Sequence, residues 1–172
     1  MFHIFGKKPP VLIDDPNVYS PVDGKIISIE ETSDSVFASK AMGDGFAVIP
    51  SHETIKSPVA GKVVLVATTK HAIGLKMKNG NEVLVHMGVD TVDLDGEPFS
   101  IKVQVGDVLE GGQVLGTMDL SLIEKQGLAT DVIVVFTNSE PYSFDAPLKT
   151  GIKVAGELVT TLKMKKEQYS ND

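Results

Sequence analysis

An eight-residue segment occurs twice in this chain, and no other feature limits the fold as tightly. Ser20-Pro21-Val22-Asp23-Gly24-Lys25-Ile26-Ile27 returns as Ser57-Pro58-Val59-Ala60-Gly61-Lys62-Val63-Val64, with five identical positions, two exchanges of Ile for Val, and one change of character, Asp23 against Ala60. Proline holds its own φ and glycine admits turns that other residues resist. A Pro, a Gly and a β-branched run at matching offsets therefore describe one bend leading into one kind of strand, built twice. The expected consequence is an internally duplicated fold with two similarly turned sheets packed face to face.

The rest of the pattern agrees with that expectation. Residues 25–29, 46–49, 62–67, 73–78, 82–87, 101–105, 132–137 and 158–162 read as strands, mostly rich in Val and Ile with Gly, Pro, Asp or Asn near their ends. Helix signals are few: Asp119 or Ser121 can cap a short turn over residues 120–125, with Gly127 ending it. The fold class expected is all-β, an antiparallel β-sandwich or flattened barrel with internal duplication and one or two short helical turns. A length of 172 residues suits one core, placed here in residues 17–164 between an N-terminal tail, 1–16, and a polar C-terminal tail, 165–172.

Composition narrows the function classes. The longest apolar runs, 63–67 and 132–136, reach only five residues, far short of the roughly 20 of a spanning helix. The cluster of Phe2, Ile4 and Phe5 beside Lys7 and Lys8 is too short for firm anchoring, so weak membrane contact or none is expected there. With no secretory signal, the expected location is the cytoplasm. The absence of cysteine removes disulfides, thiolate metal sites and cysteine nucleophiles. A net charge of −7 disfavours nucleic acid and suits a basic protein partner.

Of the four histidines, His3 lies in the tail and His52 in a Pro50-Ser51-His52-Glu53 turn, where both read as solvated groups. His71 and His86 differ. Asn79-Gly80 is a strong two-residue hairpin signal. It pairs Lys78 with Asn81 and sets Ile73 opposite His86. His71, two residues from Ile73, then points to the same face as a diagonal neighbour of His86, at a backbone separation of roughly 7–8 Å. A register shift of one residue would put the rings on opposite faces. Two imidazoles on one face support an incomplete metal site, an acid–base pair, or a nucleophile beside an anion stabiliser. Thr68 and Thr69 precede His71 and can fix a tautomer, Gly88 leaves backbone room for a partner or a phosphate, and Asp90, Asp93 and Asp95 add acidity that suits a basic partner.

Three segments carry a family resemblance. Residues 36–48 (Val-Phe-Ala-Ser-Lys-Ala-Met-Gly-Asp-Gly-Phe-Ala-Val), 69–75 (Thr-Lys-His-Ala-Ile-Gly-Leu) and 85–92 (Val-His-Met-Gly-Val-Asp-Thr-Val) resemble, in the right order, the glucose-class IIA component of the bacterial sugar phosphotransferase system. The likeness covers about residues 18–159. It implies a phosphotransferase component in which His86 accepts a phosphoryl group from the phosphocarrier HPr and passes it to a cysteine of a IIB component. By the same resemblance His71 donates to phosphoryl oxygens and Thr69 orients it. Val36, Phe37, Met42, Leu84 and Val92 correspond to an apolar ring that docks partners, with Asp34 and Asp90 meeting basic groups of HPr. Ala41 and Ala67 stand where bulkier residues are usual, which implies a shallower ring. No cofactor or resident metal is expected, and a zinc shared with a partner is not predicted. The sugar and the regulatory targets are not readable, and the tails favour a free-standing protein.

Three rivals stay open at this level. A regulatory module that binds according to phosphorylation without relaying shares the same histidines. A biotinyl or lipoyl carrier is faintly imitated by Leu75-Lys76-Met77-Lys78 beside Asn79-Gly80, but it leaves the paired histidines without a purpose. A zinc peptidase of similar architecture lacks its His-x-His pair.

Overall fold

The computed structural model describes residues 10–138, 142–144 and 148–164. In chain order the strands are β1 (Asn17–Tyr19), β2 (Gly24–Ser28), β3 (Asp44–Pro50), β4 (Thr54–Lys56), β5 (Gly61–Val66), β6 (Ala72–Lys76), β7 (Glu82–Met87), β8 (Phe99–Ile101), β9 (Val108–Leu109), β10 (Val114–Met118), β11 (Val132–Phe136), β12 (Tyr142–Phe144), β13 (Gly151–Lys153) and β14 (Leu158–Met164). Two short helices interrupt them, α1 (Ser35–Ala38) and α2 (Leu120–Lys125). Eight strands make one antiparallel sheet in the order β13-β2-β3-β11-β7-β6-β5-β9, and two three-stranded sheets, β4-β10-β8 and β1-β14-β12, complete the architecture. The large sheet keeps two edges, so it does not close into a barrel. Among the described residues no helix is long and apolar enough to cross a membrane.

All three sheets turn apolar side chains into one core. Phe46, Val63, Ile73, Leu75 and Val134 from the large sheet meet Ile55, Leu115, Met118 and Val159 from the smaller ones. Burying each such side chain stabilises the fold by about 1.5–3 kcal/mol.

The repeated segments occupy equivalent places and complete each other. Ser20 Oγ donates to the Val22 carbonyl at 2.7 Å, and Ser57 Oγ donates to that of Val59 at 2.6 Å. The N–H of Tyr19 donates to the Pro58 carbonyl and that of Lys56 to the Pro21 carbonyl, both at 2.7 Å. Glycines repeat the arrangement, since Gly156 N–H donates to Ser20 and Gly112 N–H to Ser57. The duplication expected from sequence is thus an exchange of hydrogen bonds between two copies of one bend.

The expected strands are present with altered bounds. The alternation at 101–105 ends early, because the Asp107 carboxylate accepts from Gln104 N–H and draws the chain into a turn. The expected helix is α2, and the residue that caps it is Asp119, whose carboxylate accepts from Leu122 N–H at 3.0 Å. The tail residues 1–9 and 165–172, including His3 and the Phe2, Ile4, Phe5, Lys7 and Lys8 cluster, lie outside the described residues.

The β6–β7 register is corrected by one residue. The pairs are Ala72 with His86, Ile73 with Val85 and Lys76 with Glu82. Met77 pairs with Asn81, its N–H donating to the Asn81 carbonyl while its own carbonyl accepts from Gly80 N–H. The loop therefore holds Lys78, Asn79 and Gly80, with Gly80 at φ +93°, the left-handed position that closes a three-residue hairpin. One loop residue more than expected moves Ile73 off His86 and puts Ala72 there.

Candidate functional site

His86 lies on β7, flanked in register by Ala72 of β6 and Ile133 of β11. Val83, Val85 and Met87 face the core, so Leu84 and His86 share the outward face. Part of that face is itself covered, by a second apolar cluster of Ile27, Ile29, Phe37, Ala47, Ile133 and Val135, against which Leu84 packs. Phe37 comes from α1, whose N-cap Asp34 accepts from the N–H groups of Val36 and Phe37. Its ring centroid is 4.9 Å from that of His86.

His71 reaches the same place by another route. Ala67 pairs with Ala72, so residues 68–71 form the β5–β6 loop, with Lys70 in a left-handed conformation at φ +60°. His71 is the last loop residue and precedes the strand. Strand alternation does not govern its side chain, and the diagonal placement expected from sequence is replaced by this turn. The rings nevertheless meet edge to face at 5.2 Å and 78°. Thr69 Oγ1 lies 2.6 Å from His71 Nδ1, which fixes the ring and turns its other nitrogen outward from the threonine.

The His86 Nδ1 is buried and has no hydrogen-bond partner, although the Gly88 backbone is close enough to favour a proton on the ring. Nδ1 is thereby withdrawn from any visiting group, which leaves Nε2 as the candidate nitrogen. Burial pushes the His86 pKa down, His71 pushes it further, and Asp34, the Gly88 backbone and Asp90 oppose both. The His71 pKa is lowered by burial as well. Both shifts favour the neutral imidazole, the form that offers a lone pair for nucleophilic attack.

Gly88 follows at φ +81°, its N–H donating to the Asp131 carbonyl at 2.8 Å, and an added Cβ would meet Thr91 Cγ2 at 2.3 Å. Glycine is therefore required two residues past His86. Asp90 is exposed and left-handed, opening a 3-10 turn at Thr91–Leu94. The expected apolar ring divides. Val36, Met42 and Val92 are exposed, at 54%, 42% and 45%, and Leu84 is half-buried, whereas Phe37 is buried with its ring against His86. From Leu84 a shallow groove of about 270 Å³ continues between Met42, Val64, Leu65 and Gly74.

His52 sits apart from this cluster. Its ring is 71% exposed, with Nε2 3.7 Å from Asp23 Oδ2, above an open cleft of about 340 Å³ lined also by Thr54 and Lys56.

Two residues of the site region were not singled out by sequence. Asp131 is buried, and its carboxylate accepts from Thr32 Oγ1 and Ser33 N–H. The signal for it is an acidic residue abutting the wholly apolar run of β11, since a carboxylate carried into a core must find donors. Thr32, its partner, gives no comparable signal.

Known proteins resemble this chain over most of its length. The family described as phosphoenolpyruvate-dependent sugar phosphotransferase system, EIIA 1, matches residues 16–142. The PTS system glucose-specific EIIA component of Bacillus cereus is 38% identical over 152 residues, 88% of this chain and 90% of that protein. The PTS system glucose-specific EIICBA component of Streptococcus pneumoniae is 44% identical over 147 residues, and the match takes in 86% of this chain but only 20% of that longer protein. Among solved structures, glucose permease IIA from Mycoplasma capricolum superposes with a TM-score of 0.78 at 36% identity, covering 92% of this chain and 98% of that one.

Proposed function

Because the chain belongs to the EIIA 1 family of the phosphoenolpyruvate-dependent sugar phosphotransferase system, and is thus a phosphotransferase component, we propose that it relays a phosphoryl group through His86 Nε2. The observation that carries this reading is the edge-to-face contact of the two imidazoles, one with its Nδ1 buried. The Nε2 lone pair attacks the phosphorus of phosphorylated HPr in line. A P–N bond to His86 forms as the P–N bond to the HPr histidine breaks, and HPr leaves with its electron pair. In the second step a IIB cysteine thiolate attacks, a P–S bond forms as the P–N bond to His86 breaks, and the electron pair returns to Nε2 to restore neutral His86.

Phosphoryl transfer asks a protein mainly for positioning and for donors around the equatorial oxygens. His71, held at Nδ1 by Thr69, is the donor on one side. The Gly88 loop supplies the close backbone on the other. The exposed Val36, Met42 and Val92 would supply a small apolar docking surface, and Asp34 and Asp90 are carboxylates whose charge acts on His86. Such a surface suits short encounters with a basic donor and then with an acceptor. Ala41 and Ala67 leave it shallow, as their small side chains imply. The relatives named above are described as glucose-specific, so glucose is the sugar proposed for the system, chosen by its IIB and IIC parts. The relay operates in the cytoplasm and uses no cofactor.

The test is incubation of the protein with phosphoenolpyruvate, Enzyme I and HPr, followed by localisation of acid-labile phosphate. Phosphate on His86 that a IIB domain then removes supports the relay. Phosphate that forms and is not passed on favours the regulatory module, and phosphate on another residue overturns the assignment.

A further inference from the structure

Asp131 stands one residue before β11 and is only 3% exposed. A carboxylate so placed requires donors, and it finds both about a hundred residues away in the chain. Thr32 Oγ1 donates to Oδ2 at 2.7 Å and Ser33 N–H donates to the same oxygen at 2.9 Å. The next residue is Asp34, the cap of α1, and α1 carries Phe37 onto the His86 ring. The Asp131 carbonyl meanwhile accepts from Gly88 N–H at 2.8 Å, two residues past His86. One residue thus binds both segments that border the acceptor ring, the first by its side chain and the second by its backbone.

The side-chain half of this brace is not needed to build the sheet. The register of β11 is set by its ladders to β3 and β7. A helix of four residues, by contrast, cannot hold itself in place. Besides Phe37 and the Asp131 carboxylate, its surroundings offer Ile29, in the same buried cluster as Phe37, and ion pairs of Lys40 with Glu30 at 3.1 Å and Asp44 at 3.8 Å, which are exposed and therefore weak. Asp34 and Asp90 are the carboxylates whose charge acts on the His86 ring. Asp131 acts through bonds.

We infer that Asp131 is a positioning residue for the phosphoryl acceptor: its carboxylate holds the Thr32–Ser33 segment so that Phe37 sets the attitude of the His86 ring against the Gly88 backbone. The kinetic consequence rests on the proposed role of His86, while the geometric consequence does not.

The experiment compares Asp131→Ala, Asp131→Asn and Thr32→Val in the full chain. Three readings are taken: single-turnover acceptance from phosphorylated HPr, the His86 ring-proton resonances, and the thermal midpoint. Asp131→Ala should slow acceptance about tenfold through misplacement of the ring. It should also shift the His86 resonances as the Phe37 ring moves away. Asp131→Asn keeps an acceptor oxygen and should recover most of the rate. Acceptance at the wild-type rate with unmoved resonances, whatever the melting point, overturns the inference, as does an Asn variant as slow as Ala. If Asp131→Ala does not fold, Thr32→Val, which removes one donor and keeps the carboxylate, carries the same two outcomes. If the unaltered protein takes no phosphate on His86, the functional reading falls by itself. The resonances then decide the positioning role, displaced in support of it and unmoved against it.

Discussion

His86 and His52 each stand close to a partner group, and the surroundings of the two rings differ in every respect that matters for group transfer. His86 has one nitrogen sealed, a phenyl ring at 4.9 Å and a second imidazole at 5.2 Å. His52 is 71% exposed and faces a carboxylate across 3.7 Å. Water competes for every interaction at the second site, whereas at the first the neighbours themselves set charge state and orientation. The carboxylate facing His52 is Asp23, the one residue by which the first repeat differs in character from the second. It also accepts from Ala155 N–H at 2.6 Å, while its counterpart Ala60 is simply buried. An imidazole becomes a candidate carrier through partial burial and a fixed neighbour, and a cleft with polar lining does not supply either.

The sharpest way to break this contrast is His86→Ala, which should abolish phosphate acceptance because the nucleophilic nitrogen is gone. Acid-labile phosphate at the normal level in that variant, measured after reaction with phosphorylated HPr, would move the role to another residue. Next in size, His71→Gln should still accept phosphate but pass it to IIB about a hundredfold more slowly, by analogy with the loss of one oxyanion donor. Normal relay in stopped-time assays would make His71 a structural residue.

A smaller effect concerns pH. Both ring pKa values lie below the ordinary 6.5, so between 6.5 and the folded values the unfolded chain binds more protons than the folded one. Stability from this source is complete above pH 6.5 and is lost as pH falls through the folded values. Denaturant titrations should show the native protein losing stability on acidification more steeply than His86→Ala. Parallel curves would mean that burial does not set the charge of this ring. The smallest effect expected is that of His52→Ala, with unfolding free energy changed by no more than about 0.5 kcal/mol and relay unaltered. A relay defect there would erase the distinction between the two sites.

Periodicity made the long strands legible, since β2, β3, β5, β6, β7, β11 and β14 all carry Val- or Ile-rich runs or Leu and Thr in alternation. The short strands β1, β4, β8, β9, β12 and β13 were illegible or misplaced because two or three residues carry no period of their own and exist by borrowing partners. β10 is longer, but Gly116 at its centre disguises it. The four-residue α1 escaped notice although Asp34 is a sound N-cap, because no apolar helical stripe can form in one turn. At the site, the juxtaposition of His71 and His86 was foreseen and its route was not. Asn79-Gly80 was read as the whole turn, while Lys78 belongs to it too. The error of one in register was offset by the left-handed Lys70, which releases His71 from alternation. The depth of Phe37 and the brace at Asp131 depend on long-range packing that no local window contains.

The crossed bonds from Tyr19 to Pro58 and from Lys56 to Pro21 make the two bends mutually dependent. Each copy supplies the carbonyl that answers the backbone donor just ahead of the other, so damage to either bend strips a partner from its twin.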